Sequence, residues 1–168
     1  MAAPDIHGNT IALRDYLRDA DTGTDLWAAG ASTIDAYLTR AAVTASSAAM
    51  PLIVVHPLGL VAEAEMGSFP LGAGGGHRGL EVRMAVDVMT SWRSEPDTAQ
   101  QTCVEVANSV LVKLLEDVSW GAGIAGNAAV WVGEWIVEPA DVFADMTTDA
   151  WPWLTWRWET PAVVYAQV

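Results

Sequence analysis

The stretch LEVRMAVDVM (residues 80–89) has the clearest alternation of apolar and polar side chains in the sequence, and it decides the fold. Successive side chains of a β-strand point to opposite faces of its sheet. One face would carry Leu80, Val82, Met84, Val86 and Val88, and the other Glu81, Arg83, Ala85, Asp87 and Met89. We therefore predict a strand with one face against a core that includes Val82, Met84 and Val86.

A long helix is predicted after this strand and a turn at residues 94–97. The segment TAQQTCVEVANSVLVKLLEDVSW (98–120) has apolar residues at helical spacing, and Gly121 and Gly123 would end it. The predicted inward stripe is Ala99, Cys103, Val106, Ala107, Val110, Leu111, Leu114, Leu115 and Val118. Val110 and Leu114 are candidate core residues, and Cys103 is expected to be buried and inert.

Three elements and a loop are predicted before the strand. Asn9-Thr10 would start a short N-terminal helix, and the alternation at 34–39 suits a short strand. The run PLIVVH, bounded by Pro51 and Pro57, predicts a buried strand. The segment GSFPLGAGGGHRG (67–79) predicts a flexible glycine-rich loop.

Two strands are predicted to close the chain: AVWVGEWIVEP (129–139), and WPWLTWRWETP (151–161) continuing into PAVVYAQV. Period-two alternation places Leu154, Trp156 and Trp158 on one face, as candidate core residues. Trp151 and Trp153 are left as candidates for contact with a neighbouring molecule. Trp131 and Trp135 would share a face and pair with aromatic side chains of the last strand.

The predicted order is α, β, β, loop, β, α, β, β. This order indicates an α+β fold, with a mainly antiparallel sheet packed against a long helix and a short N-terminal helix. The 168 residues are enough for one domain, and no internal repeat is found. We therefore predict a single domain that spans residues 1–168.

Charge and composition exclude several function classes. The chain has 21 acidic and 8 basic residues, a net charge of −13, so stable nucleic-acid binding is not expected. Its single cysteine excludes an internal disulfide, and the start MAAPDIHGNT has no signal-peptide pattern. No membrane segment is expected, because the uncharged stretch 41–62 is interrupted by Ser46, Ser47, Pro51, His56 and Pro57.

No catalytic or cofactor motif is found. The glycine run 72–76 is followed by His77-Arg78 rather than by Gly-Lys-Ser/Thr, and a strand rather than a helix comes next. No cofactor is therefore expected. No Gly-x-Ser-x-Gly elbow occurs, and the carboxylates are better explained as solvated faces. Glu134 and Glu138 are the least implausible acid–base pair.

The histidines do not predict a metal site. His7, His56 and His77 have no histidine, cysteine or carboxylate partner at metal-ligand spacing. His56, between a strand and Pro57, is interpreted as a structural residue, and His77 as loop surface.

The organisation of the whole chain resembles the tail terminator proteins of long-tailed bacteriophages. The matching parts are LRDYL (13–17), IDAYLTR (34–40), MPLIVVHP (50–57), LEVRMAVDV (80–88), the helix from Asp97 to about Val118, and two closing strands. The resemblance implies a non-enzymatic structural protein of the virion tail and neck, assembled in the host cytoplasm. It implies a homohexameric ring that caps the tail tube and joins it to the head.

The resemblance also implies partners and an interface. The partners would be further copies of this chain, the tail tube protein and the head-closure or connector protein, with DNA only passing through the lumen. If acidic residues line that lumen, they would repel the DNA. The candidate assembly interface is Trp151, Trp153, Gly74, Gly75, Gly76, His77 and Arg78.

Other functions stay open from the sequence. A head-closure or other neck protein has a similar size. A small-molecule or glycan-binding domain could use the C-terminal tryptophans as a stacking surface, and a hydrolase with dispersed catalytic residues is a third alternative.

Overall fold

A computed structural model describes residues 6–37, 50–62, 77–92, 97–117, 131–137 and 153–167. It contains the helices α1 (Ile6–Arg18) and α2 (Ala99–Glu116). The strands are β1 (Thr33–Ala36), β2 (Leu52–Ala62), β3 (His77–Ser91), β4 (Val132–Val137) and β5 (Trp153–Gln167). Their order along the chain, α1-β1-β2-β3-α2-β4-β5, is the order predicted from the sequence.

The strands form a five-stranded sheet in the order β1-β2-β3-β5-β4. β1 pairs with β2 in parallel, whereas the β2–β3, β3–β5 and β4–β5 pairs are antiparallel. The predicted α+β class with a mainly antiparallel sheet is therefore confirmed. β3 and β5 form the centre of the sheet and pair along their full lengths, from His77 opposite Gln167 to Ser91 opposite Trp153.

Both helices pack on the same face of the sheet and form the main core with it. Of the candidate core residues, Met84, Val86, Val110 and Leu114 have no exposed surface, and Leu154 and Trp158 are buried. Trp156 is only partly buried and packs against this core. The side chain of Val82 lies outside the described residues. The predicted aromatic pairing of Trp135 with the last strand is confirmed, since its ring lies 5.1 Å from that of Trp156.

Two strands extend further than the sequence indicated. β2 continues through Pro57 to Ala62, because β3 pairs with it as far as Ala62 opposite Leu80. β1 pairs only with residues 52–55, so the rest of β2 lies at the edge of the described sheet. Proline, which lacks an N–H donor, is tolerated at such an edge, and the register shifts between Pro57 and Gly59. β3 begins at His77, so residues 77–79 of the predicted loop pair with the end of β5.

The beginning of α1 and the end of β1 also differ from prediction. α1 starts at Ile6 rather than at Asn9-Thr10. Thr10 therefore lies inside the helix, where its hydroxyl donates to the Ile6 carbonyl (2.8 Å) instead of capping the helix start. β1 ends at Ala36, because Tyr37 takes a left-handed backbone conformation with φ 64°.

In the last turn of α2, the buried residues differ from those of the predicted inward stripe. Leu115 is 51% exposed, whereas Lys113 is fully buried. The Lys113 ammonium donates to the backbone carbonyls of Asp19 and Thr22, and it lies 5.0 Å from the centre of the Tyr16 ring. The connection after α1 thus supplies the polar partners that make a buried lysine stable in this position.

We expect Gly23→Ala to lower the free energy of unfolding by about 2 kcal/mol or more, for two reasons. Gly23 has φ 68°, where an L side chain is strained, and a Cβ there would overlap the Glu116 carboxylate. That carboxylate accepts hydrogen bonds from the Thr24 amide (2.7 Å) and the Thr24 hydroxyl (2.8 Å). Urea denaturation measures the effect.

The double variant Gly23→Ala/Glu116→Ala is the control. Relative to Glu116→Ala alone, it should show only the backbone strain, because the overlapping group is gone. Equal losses in both backgrounds would contradict a role for the overlap.

Candidate assembly surface

The face of the sheet opposite the helices carries a second, smaller apolar cluster. Leu52, Val54 and Met89 are buried there, and Trp153 packs against them half-buried. Alternation along the strands explains this, since Ile53, Val55 and Val88 point to the helices while their neighbours point away. Trp153, a candidate interface residue, therefore lies on the face away from the helices. No helix of the described ranges packs on this side, which we call the open face.

Three polar side chains from three strands meet on the open face. Arg157 donates to Asp87 twice, from Nε to Oδ1 (2.7 Å) and from Nη2 to Oδ2 (2.9 Å). His56 Nε2 lies 2.9 Å from the same Oδ2. Because an ionised carboxylate only accepts hydrogen bonds, Nε2 carries the proton and donates it. We call these three residues the polar row.

The register of the sheet brings the polar row together. Asp87 of β3 lies directly opposite Arg157 of β5, and Arg157 lies directly opposite Glu134 of β4. Opposite charges in directly facing positions stabilise a strand pair. A slip of one residue would move these groups to the apolar helix side, so the row also favours this register over its alternatives.

Asp87 and Arg157 are both charged at neutral pH. Burial by itself would raise the pKa of Asp87, but the hydrogen bonds from Arg157 and His56 outweigh it and hold that pKa below its usual value. The hydrogen bond to Asp87 raises the pKa of Arg157, against the opposing effect of burial. Asp87 and Arg157 thus form a partly buried ion pair whose charges balance.

A cleft of about 800 Å³ opens beside the polar row. Most of its exposed lining surface is apolar. The apolar lining residues are Val54, Pro57, Met89, Ile136 and Val137, and the polar ones are Tyr37, His56, Asp87, Thr155 and Arg157. Apolar walls around a few fixed polar groups are typical of a binding cleft. The open face can therefore take an apolar group that also brings a hydrogen-bond acceptor.

The tryptophans on the helix side form packed pairs rather than a flat platform. The Trp135 and Trp156 rings meet at 83°, and the Trp156 and Trp158 rings at 64°. The Trp158 indole N–H donates to the Ala107 carbonyl (2.8 Å) and so joins β5 to α2. These rings stabilise the core and do not present stacked faces to a ligand.

The other reactive groups lie apart from the cleft. Burial raises the pKa of the Cys103 thiol to about 11, so it is not a thiolate at neutral pH. Cys103 is free and packs in the main core. Within the described ranges, no three His, Cys, Asp or Glu side chains stand close enough to hold a metal ion. No helix within those ranges is long and apolar enough to span a membrane.

Only some of the remaining interface and acid–base candidates lie within the described residues. Trp151, Gly74, Gly75, Gly76 and Glu138 lie outside the described residues. His77 and Arg78 lie in β3, where their backbones pair with Gln167 and Ala166. The sequence interpretation missed the polar row, although it had one signal: Asp87 interrupts an otherwise apolar run, and Arg157 stands between two tryptophans.

Comparisons with known proteins give a loose similarity. No family model matches the chain, and no curated protein matches it. A solved structure described as the PVC sheath/tube terminator in extended state, from an extracellular contractile injection system, matches at 14% sequence identity and a TM-score of 0.41. The match covers 99% of this chain and 58% of that one, so this chain spans less than two thirds of its length.

Proposed function

We propose that this chain is a tail-terminator subunit: a non-enzymatic protein that caps a tail tube as a hexameric ring and joins it to the head-side connector. The observation that carries the proposal is the open face. It holds an apolar cleft, an ordered polar row and a half-buried tryptophan. The order of elements, which resembles that family, supports it as well.

The two sides of the sheet suit a ring. A ring subunit needs two different, mutually complementary surfaces, because a head-to-tail contact repeats until the rotation closes. Among the described residues, both helices pack on one side of the sheet, and the open face carries a small apolar cluster and the polar row instead. The partners would be further copies of the chain, the tube protein below and the connector above, with DNA passing through the lumen.

A glycan-binding function has less support. A glycan site would need exposed ring faces, and Trp135, Trp156 and Trp158 instead meet edge to face and pack on the core.

We expect the purified chain to form a hexameric ring, alone or on mixing with its tube protein. Native mass spectrometry gives the number of subunits, and negative-stain images show whether the rings sit at tube ends. Because the chain has a net charge of −13, subunits repel one another at low salt. The ring should therefore be more stable at about 0.15 M salt than at about 0.01 M, where screening is weaker.

Two results would contradict the proposal. One is a chain that stays monomeric at both salt concentrations and leaves tube ends uncapped. The other is the same monomer with tryptophan fluorescence quenched by added sugars, which would favour glycan binding.

A further inference from the structure

We infer that neighbouring copies join by pairing an edge of β2 of one copy with an edge of β5 of the next, so that the sheet continues from subunit to subunit. This inference rests on the proposed ring function and names the contact that builds the ring. It is carried by the backbone pairing of β2, β3 and β5, the three longest of the described strands.

The three longest strands extend beyond the part of the sheet that carries the main core. The main-core residues closest to their extended ends are Val55 on β2, Met84 on β3 and Trp158 on β5. Beyond these residues β3 stays paired with β2 on one side and with β5 on the other. We call this three-stranded part the arm, and it consists of residues 58–62, 77–83 and 161–167.

Both outer edges of the arm lack a partner among the described strands. β1 pairs with β2 only as far as Val55, and β4 pairs with β5 only as far as Glu159. At residues 58–62 and 162–167, the backbone N–H and C=O groups that point away from β3 therefore have no ladder partner within the described ranges. Such an edge is a template for pairing with another strand.

The sequence does not protect the two arm edges. Edge strands commonly avoid pairing by being short, by carrying charges or by bulging. The outer strands use these devices, since β1 has only four residues and β4 has Glu134 and a register shift. The arm edges, 58–62 (LGLVA) and 162–167 (AVVYAQ), contain no charged residue. Pro57 and Pro161 precede these edges and do not interrupt them.

The two arm edges match each other in level and direction. Val61 and Val163 lie on either side of Glu81, so they are level with each other across the arm. β2 and β5 both run antiparallel to β3, and they are therefore parallel to each other. A rotation about an axis along the strands would place β2 of one copy beside β5 of the next at the same level. The opposite edge of a second copy thus supplies the strand that each edge lacks.

The arm also brings few like charges into the contact. The chain has a net charge of −13, but the arm contains only one of its 21 acidic residues, Glu81. It contains two of the eight basic residues, Arg78 and Arg83. Because an excess of one charge makes copies repel each other, a contact through the arm costs less electrostatic free energy than one between acidic surfaces.

Pairing of unlike edges is head-to-tail. A copy that has used its β2 edge still has a free β5 edge, so the contact repeats until the ring closes. In the closed ring the arms form one continuous sheet, and no arm edge is left unpaired. Closure therefore removes the risk of open-ended association that unprotected edges carry in the single subunit.

Disulfide trapping tests the contact directly. Within one copy, a strand spacing of about 4.8 Å places residues 61 and 163 about 10 Å apart, beyond the roughly 7 Å that a disulfide spans. Between copies, directly neighbouring strands come within that limit. The variants combine Val61→Cys with a cysteine at each of residues 162–165 in turn, a scan that covers both faces of β5 and a slip in register. Cys103 stays in place because it is buried.

Mild oxidation should shift at least one double variant from single-subunit to multi-subunit bands on a non-reducing gel. Each single-cysteine variant should stay a single subunit. The matched control pair Val61→Cys/Val132→Cys should do so too, because Val132 of β4 lies opposite Glu159, outside the arm. Native mass spectrometry under reducing conditions checks that the variants form the same ring as the unmodified chain.

The outcomes separate the inference from the proposed function. Rings in which no pair of the scan is trapped overturn the inference and leave the proposed function standing. Trapped dimers of a single-cysteine variant would show that like edges meet, which also overturns it. Trapped pairs that are lost when tube protein is added would assign the β5 edge to that protein and overturn it as well. An unmodified chain that never forms a ring overturns both.

Discussion

Replacing Trp158 with alanine should lower the free energy of unfolding by about 3–5 kcal/mol. Trp158 is 8% exposed and packs in the main core between β5 and α2. Alanine would leave a cavity in that core and remove the indole hydrogen bond to the Ala107 carbonyl. Urea denaturation monitored by far-ultraviolet circular dichroism measures the change, because it does not depend on the fluorescence of the lost indole.

Gly133 provides a specific test of this packing. It lies directly opposite Trp158 on β4, and a Cβ there would overlap the six-membered ring of the indole. Gly133→Ala should therefore destabilise the unmodified protein but have little effect in the Trp158→Ala background. Additive losses in the double variant would show that the indole does not occupy the space above Gly133.

Replacing Asp87 with asparagine should have the second large effect, a loss of about 3 kcal/mol of unfolding free energy. Asp87 is 8% exposed, and the change leaves the Arg157 guanidinium without its counter-charge inside the sheet. The loss should lie at the low end for a broken buried pair, since the Arg157 side chain keeps 20% of its surface exposed. The control is the matched change Asp35→Asn, because the Arg18–Asp35 pair has 40% of each side chain exposed, so the arginine left behind stays solvated. That control should cost less than about 1 kcal/mol.

Acid titration gives an independent check of the same residue. The pKa of Asp87 is lower in the folded state than in the unfolded state, so its stabilising effect is fully present above its unfolded pKa of about 3.9. That effect is lost as the pH falls through the lower, folded value. The stability difference between the unmodified protein and Asp87→Asn should therefore shrink in this acidic range. A constant difference from pH 7 down to strong acid would argue against the ion pair as its source.

Side-chain periodicity in the sequence was sufficient to predict the elements and the side of the sheet that faces the helices. The alternation at 80–89 and the helical stripe after Thr98 depend on spacing within one segment, and burial follows such spacing directly. Boundaries were less predictable. Pro57 looked like a strand end, because its tolerance depends on where β1 stops pairing, and that information lies elsewhere in the chain.

Only the tertiary structure shows which residues meet on the candidate assembly surface. His56 and Asp87 are 31 positions apart and Asp87 and Arg157 are 70 apart, so only the placement of β3 between β2 and β5 brings them together. Lys113 is buried for a similar reason, since the carbonyls that accept its hydrogen bonds belong to residues 91 and 94 positions away. Local spacing determined which face of each element is apolar. Strand order and register determined which polar groups meet, because those contacts join segments whose separate patterns say nothing about one another.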